Sequence, residues 1–240
     1  NEEGSAHPVK VPHYLCELVE KSIYYTGETG GRFDITYKSE GRLWDIHGSS
    51  IPDKKQVDEL LPLIGPGSLE VDCVGDTIKF LKIGVKVDLG GIAAGFAADK
   101  SGEMLKKYGY NNFLINFSGD LLVCGGKKGK PWKVGIKDPS GKEPFLKELL
   151  FNDPSCKAVS TSGDYERYIE KNGKKYSHII DPRTGYPVEG ASSVTVVAMN
   201  ATDADVFSTA ISVGYKEEPF INFLADKFKL NVYVKSLENR

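Results

Sequence analysis

After a polar opening that lasts to Pro12, apolar Leu15, Leu18, Val19 and Ile23 recur at helical spacing and predict a helix over His13–Tyr25. It should stop at Thr26-Gly27, with Gly30-Gly31 opening a loop into Arg32-Phe33-Asp34-Ile35-Thr36. Pro52-Asp53 is a start signal for a short helix over Lys55–Leu63. Leu69–Cys73, Thr77–Leu81 and Val85–Leu89 then read as strands separated by turn residues. At Gly90 the pattern changes to a glycine-rich turn feeding a helix that runs to about Lys107 and ends before Gly109.

Phe113–Phe117 and Asp120–Cys124 predict a strand pair around Ser118-Gly119. Trp132–Ile136, Glu148–Phe151, Ala158–Thr161, Tyr165–Glu170 and Tyr176–Ile180 are further strands, the last two joined by the hairpin signal Asn172-Gly173. A strand over Ser193–Ala198, helices over Asp203–Val213 and Glu217–Asp226, and a strand over Leu230–Val234 complete the pattern. Hairpin runs mixed with a few helices indicate an α+β fold of mostly antiparallel strands with flanking helices, not regular βαβ alternation. No repeat, low-complexity block or linker-like stretch interrupts it, so residues 1–240 read as a single domain.

Composition narrows the function classes without naming one. The formal net charge of −2 gives no electrostatic footprint for a phosphate backbone, so nucleic acid is not an expected partner. No apolar run approaches the ~18–20 residues of a membrane span. Twelve tyrosines, 11 phenylalanines and 26 glycines describe a turn-rich packed fold and exclude disorder and coiled coil. Cys16, Cys73, Cys124 and Cys156 form no C-x-x-C pair, which removes zinc-site spacing. An even count permits bridges, but four small buried apolar residues is the simpler reading, and it leaves the compartment open. The chain begins Asn-Glu-Glu-Gly, not Met, which suggests a mature or trimmed product.

Four places combine residues that carry chemistry. In Asp88-Leu89-Gly90-Gly91-Ile92-Ala93-Ala94-Gly95, a strand ends in a carboxylate, and glycines bring backbone N–H groups to a helix start, where a phosphate is favoured. The spacing is not G-x-G-x-x-G, so a Rossmann-type dinucleotide fold is not supported, and on this motif alone a tight strand-to-helix turn is the preferred reading. In Thr202-Asp203-Ala204-Asp205-Val206-Phe207-Ser208-Thr209, Asp205 and Thr209 share one helix face and could offer oxygens to Mg²⁺. Thr202-x-x-Asp205 is also a capping-box-like pattern, which would stabilise Asp205 with no ligand, and taken alone the cap is the preferred reading.

His178, at a strand end before the Pro/Gly-punctuated Asp181-Pro182-Arg183-Thr184-Gly185, could serve as a general base, or as an ordinary structural histidine. Ser160-Thr161-Ser162-Gly163-Asp164-Tyr165-Glu166-Arg167-Tyr168 could line a pocket with hydroxyls, or simply alternate on a half-exposed hairpin. No G-x-S-x-G, P-loop or H-E-x-x-H occurs, which removes the usual support for serine hydrolase, NTPase and zincin readings.

Taken in order, the segments Thr29–Thr36, Asp88–Asp99, Asn116–Asp120, Ser160–Tyr168, His178–Pro187 and Ala204-Asp205 with Thr209 resemble the ApbE-type flavin transferases, the flavin-trafficking family. The resemblance spans roughly Thr26 to Gly214. It implies an enzyme that binds FAD with Mg²⁺ and transfers FMN through a phosphoester bond to a threonine of a partner protein, with AMP as leaving group. Some relatives instead hydrolyse FAD to FMN and AMP, and a flavin-binding protein without turnover is a further alternative. The family implies a periplasmic or outward-facing location, often with a lipid anchor at the N-terminus of the precursor.

Carried over by position, the resemblance assigns the metal to the Gly91 carbonyl and the Asp205 and Thr209 side chains. It assigns FAD contacts to Arg32, Phe33, Asp34, Asp88, Ala94 and Ile180, and the role of base for the acceptor hydroxyl to His178. Ala94 stands where relatives often carry Lys or Glu, and Phe96 where Tyr is common. The family's first strand and helix, which contribute a methionine and an aromatic residue to the flavin pocket, have no counterpart in these residues, and the resemblance implies that they would precede Asn1.

Overall fold

The computed structural model describes residues 3–41, 44, 52–152, 154–163, 168–171, 174–177, 179–188 and 192–236. It is a mixed fold of helices and antiparallel sheets whose contacts group into two compact units, Asn1–Gly90 with Arg167–Glu189, and Gly91–Glu166 with Gly190–Arg240. The chain enters the first unit with β1 (Val9–Lys10), α1 (His13–Glu28), α2 (Lys38–Gly41), α3 (Lys54–Leu60), β2 (Leu69–Asp72) and β3 (Thr77–Phe80). In the second it forms α4 (Ala93–Lys107), β4 (Phe113–Phe117), β5 (Asp120–Cys124), β6 (Gly126–Lys127), β7 (Lys130–Lys137), β8 (Phe145–Phe151) and β9 (Lys157–Gly163). The first unit then gains β10 (Tyr168–Lys171), β11 (Lys174–Ser177), β12 (Ile180–Asp181) and β13 (Tyr186–Pro187). The second is completed by β14 (Ser192–Ala198), α5 (Ala201–Val213), α6 (Glu218–Phe228) and β15 (Asn231–Ser236). Among the described residues no helix is long and apolar enough to cross a membrane.

In the first unit, α1 buries Cys16, Leu18, Val19, Ser22 and Tyr25. It continues to Glu28, past the expected stop at Thr26-Gly27. The Thr26 and Thr29 hydroxyls donate to the carbonyls of Ser22 and Tyr25 at 3.0 and 2.8 Å, which holds the last turn across Gly27. The reversal comes at Gly30 and Gly31, whose φ values of 56° and 77° only glycine adopts without strain. A three-stranded antiparallel sheet runs β1-β3-β2, with Ile78 opposite both Val9 and Val71. β1 is two residues long and leaves no periodic trace in the sequence.

α3 begins at Lys54, one residue before the predicted start, behind Asp53, which forms a full capping box with Gln56, and it gives way to a 3₁₀ turn over Leu61–Leu63. Val85–Leu89 is not a strand. The Lys86 N–H donates to the Ser39 hydroxyl and the Asp88 N–H to the Ile35 carbonyl, both at 2.8 Å, so its backbone bonds leave no ladder to join. The predicted strand Tyr176–Ile180 is divided between β11 and β12, and the Ile179 N–H at the break donates to the Ser177 hydroxyl. β10 and β11 pair as the hairpin that Asn172-Gly173 signals, those two residues lying outside the described ones.

In the second unit, five antiparallel strands run β15-β14-β9-β5-β4. β4 and β5 form the predicted hairpin, with positive φ at both Ser118 and Gly119. One face of the sheet packs Val123, Val159 and Val197 against Val134 of β7, in the apolar layer that also takes in Trp132, Leu149 and Phe151. α5 covers the opposite side and is itself buried almost all round, Val206, Phe207, Ala210 and Ile211 having no exposure. With both faces covered, β14 loses polar alternation and reads as a run of buried residues.

All four cysteines are paired, against the expectation of four free buried thiols. Cys16 of α1 bridges Cys73 in the first unit, and Cys124 of β5 bridges Cys156 in the second. Each partner lies tens of residues away, so spacing alone carried no sign of the pairing.

Candidate functional site

The segments that carry the resemblance sort into two clusters, one in each unit. In the first, Asp34 caps the single-turn helix Ile35–Tyr37, its Oδ1 accepting the Thr36 N–H at 2.7 Å and the Thr36 hydroxyl at 2.5 Å. Burial pushes the Asp34 carboxyl up, and the Thr36 bonds pull against that. Phe33 is buried beside it, and Arg32 Nη1 donates to the Thr29 carbonyl at 3.1 Å. The Asp88 N–H ties to the Ile35 carbonyl, which brings Asp88 to the same turn.

The Asp88 carboxylate accepts the Gly90 N–H at 2.8 Å and lies 3.5 Å from Lys38 Nζ. Tyr37 also donates to it, and burial together with the Asp88 charge pushes the phenol up to about 12. Ile180 is buried in β12, next to Asp181, whose two oxygens take a forked contact from Arg183 at 2.7–3.2 Å. A Cβ at Gly31 would lie 3.4 Å from Arg183 Cγ, so this loop reaches the one that carries Arg32. His178 lies outside the described residues.

The second cluster is built where α4 and α5 cap one another. α4 has no side-chain cap of its own at Ile92. Its third residue, Gly95, donates its N–H to Asp205 Oδ2 of α5 at 3.0 Å. In return Asp99 of α4 accepts the Ala201 and Thr202 N–H groups at 2.7 and 2.8 Å, and the Thr202 hydroxyl at 2.6 Å. Each helix thus meets the other's positive end with a carboxylate. The exchange needs close approach: a Cβ on Gly95 would sit 2.3 Å from the Ala201 carbonyl oxygen.

The capping-box reading of Thr202-x-x-Asp205 is therefore wrong. α5 starts at Ala201 behind Asn200, whose side chain accepts the Asp203 N–H, so the local cap lies two residues upstream of Thr202. Asp205 is left to serve a different helix.

Asp205 is 5% exposed and shares its pocket with Asp120 at the start of β5. Burial and the Asp120 charge push the Asp205 carboxyl up to about 8, against the pull of the Gly95 N–H. Asp120 is raised as well, by burial, with its bond from Ser160 lowering it. Among the described residues no Lys or Arg forms an ion pair with either carboxylate. Ser160, Ser162 and Ser208 link Asp120 to Thr209 through hydroxyl contacts of 2.5–3.3 Å. Gly91 precedes the Ile92 N-cap of α4, and Ala94 is half-buried in its first turn.

This is an oxygen-donor set for a hard cation. Two facing carboxylates without a countercharge lose repulsion when a divalent ion enters, and Thr209 adds a neutral oxygen. Among the described residues no three His, Cys, Asp or Glu side chains converge on one point. These residues could supply only part of a coordination sphere, and a Mg²⁺ ion held here would need water or phosphate oxygens to complete it. Asp120, Asp99 and Gly95 carried no role in the sequence reading. The hydroxyls of Ser160 and Ser162 were visible there only as one reading of a polar stretch.

A helix-to-helix N-terminal exchange thus buries paired carboxylates beside hydroxyls on an α+β scaffold, a donor set that could take a cation. Residues 1–233 match the model of the ApbE family, and the chain belongs to that family. The FAD:protein FMN transferase of Treponema pallidum (strain Nichols) is 32% identical over 237 residues, covering 90% of this chain and 64% of the relative. The Vibrio cholerae enzyme of the same name is 30% identical over 242 residues, covering 98% and 71%. The crystal structure of the ApbE protein from Thermotoga maritima superposes with a TM-score of 0.86 at 30% identity, covering 98% of this chain and 79% of that one. The chain spans about two thirds of the length of the curated relatives it matches.

Proposed function

We propose that this chain is a Mg²⁺-dependent FMN transferase that takes FMN from FAD, attaches it to a threonine of a partner protein and releases AMP. The observation that carries the reading is the buried Asp205–Asp120 pair, both raised by burial, Asp205 further by the Asp120 charge, and lacking a cationic partner among the described residues. The curated relatives named FAD:protein FMN transferase supply the reaction class.

In the transfer, the acceptor threonine oxygen forms a bond to the FMN-side phosphorus of FAD. The bridging P–O bond breaks and its electron pair leaves with AMP. The threonine proton goes to a base, the role assigned to His178. Asp205, Thr209 and the Gly91 carbonyl would hold Mg²⁺, which when bound offsets charge on the pyrophosphate and improves AMP as a leaving group. Arg32 and the loops around Asp88 and Ile180 are assigned to binding FAD.

The two disulfides support the reading of an oxidising compartment outside the cytoplasm. Mass spectrometry after incubation with FAD, Mg²⁺ and a threonine-bearing acceptor peptide tests the function directly. The expected result is a peptide heavier by an FMN phosphoester together with free AMP. FMN and AMP without a modified peptide would replace the reading with FAD hydrolysis. Stoichiometric FAD with no AMP would replace it with a flavin-binding protein.

A further inference from the structure

Thr209 is a neutral alcohol, and an alcohol ligates a cation through a lone pair only if its proton points elsewhere. The hydroxyls around it fix where that proton goes. Ser160 Oγ donates to Asp120 Oδ1 at 2.5 Å, so its single proton is committed. Ser208, which has no exposure, donates to the Asp205 carbonyl oxygen at 2.9 Å. Its proton is committed too, and the 3.2 Å separation of Ser160 and Ser208 is the longer contact expected between two oxygens that are both already donating.

Ser162 lies 2.8 Å from Ser208 and 3.3 Å from Thr209. Ser208 can only accept, so Ser162 is the donor in the first contact. With its proton spent there, Ser162 can only accept in the second, and Thr209 is the donor. The direction runs Thr209 to Ser162 to Ser208 to the α5 backbone.

We infer that Ser162 is a positioning residue: it takes the Thr209 hydroxyl proton and so presents a Thr209 lone pair to a divalent cation. The inference rests on the reading of Asp205 and Thr209 as cation ligands. It also gives a reason for a second serine on β9. Ser160 and Ser162 share one face of that strand, and each meets α5 with a different task, one holding Asp120 and the other turning Thr209.

The test uses the metal-free full chain and Mn²⁺ as the probe, with affinity read by electron paramagnetic resonance of free Mn²⁺ and folding read by thermal melting. Ser162→Ala should weaken Mn²⁺ binding by roughly 10- to 100-fold, the usual effect of removing a partner that orients a ligand, with the melting curve little changed. Ser162→Thr, which keeps the hydroxyl, should restore affinity. In a Thr209→Val background, Ser162→Ala should cause no further loss, because its effect passes through Thr209.

An equal loss in the two backgrounds overturns the inference, as does unchanged affinity in Ser162→Ala. Should that variant fail to fold, Ser208→Ala serves instead. It frees the Ser162 proton to point at Thr209 and should weaken Mn²⁺ in the same direction, and unchanged affinity in the folded variant counts against the relay. No Mn²⁺ binding by the unaltered chain, or binding indifferent to Thr209→Val, overturns the cation site itself. Binding that Thr209→Val weakens and Ser162→Ala leaves alone overturns only the role of Ser162.

Discussion

Replacing Gly95 by alanine separates the structural account from simple helix propensity, because the two give opposite signs. Alanine favours a helix over glycine by about 1 kcal/mol, so an unconstrained third residue of α4 would gain stability. Here the added Cβ would sit 2.3 Å from the Ala201 carbonyl oxygen and 2.8 Å from Asp205 Cβ. Backbone cannot swing aside as a side-chain tip can, so α4 and α5 must move apart by about 1 Å to reach ordinary contact. Overpacking of this kind costs about 1–3 kcal/mol. The same displacement stretches the 3.0 Å bond from Gly95 N–H to Asp205, worth about 0.5–1.5 kcal/mol with the carboxyl protonated, as it is in the metal-free chain near neutral pH. After the propensity gain is set against these, a net loss of about 0.5–3.5 kcal/mol remains, or about 1–14 °C in melting temperature for a chain of this size. Thermal unfolding followed by circular dichroism reads it, with Mn²⁺ affinity falling in parallel. A melting temperature at or above that of the unaltered chain would refute the close helix approach and the reciprocal capping that depends on it.

The Cys124–Cys156 bridge closes a separation of 32 residues, so replacing both by serine should cost about 3–4 kcal/mol in urea unfolding on the loop-entropy model. Dithiothreitol, which reduces the Cys16–Cys73 bridge as well, should lower the midpoint of the unaltered chain at least as far as this variant, and insensitivity to the reductant would argue against both bridges. The raised Asp205 carboxyl gives a pH dependence whose sign is fixed. Between the ordinary carboxylate range and about pH 8 the folded chain holds a proton that the unfolded chain has released, so metal-free stability falls as pH rises through that window. Asp205→Asn should flatten the slope, and a slope rising with pH would contradict the placement of the pair. Asp205→Ala should also abolish Mg²⁺-dependent transfer of FMN, with unchanged activity counting against the metal assignment. For His178→Ala the expected outcome is lost transfer with FAD binding retained in equilibrium dialysis. Lost binding instead would make this histidine a contact of FAD and leave the base unassigned.

What a sequence window shows is what is local. The β4–β5 hairpin was readable to the residue, because Phe117, Ser118, Gly119 and Asp120 contain both the turn and its first cross-strand pair. The α3 start was readable for the same reason, Asp53 and Gln56 being three apart. α1 overran its predicted end as threonine hydroxyls donated to carbonyls one turn back, on either side of a glycine that looked like a stop. Val85–Leu89 has strand-like composition but finds its backbone partners at Ser39 and Ile35, near in space and distant in sequence. The apolar pattern marked both segments. Their ends and ladders were decided by hydrogen bonds that no periodicity records.

The site follows the same division, and that explains why its central residue was open to misreading. Residues near Asp205 in sequence offer it a plausible cap three positions upstream, and capping preferences alone would accept that. Its actual partner, Gly95, is 110 positions away, and the return contact from Asp99 to Thr202 spans 103. Once two helices exchange caps in this way, neither carboxylate is free to serve its own helix. The one nearer the sheet also comes under the end of β5, where Asp120 sits. A second carboxylate there stabilises neither helix nor strand. It raises the cost of ionising Asp205, and the chain's described residues offer no cation to relieve it. With both members ionised such a pair repels, and a shared proton, or on the proposed reading a divalent ion, relieves it. That dependence on an occupant is what the proposed site requires, and it arises from the three-way meeting of α4, α5 and β5.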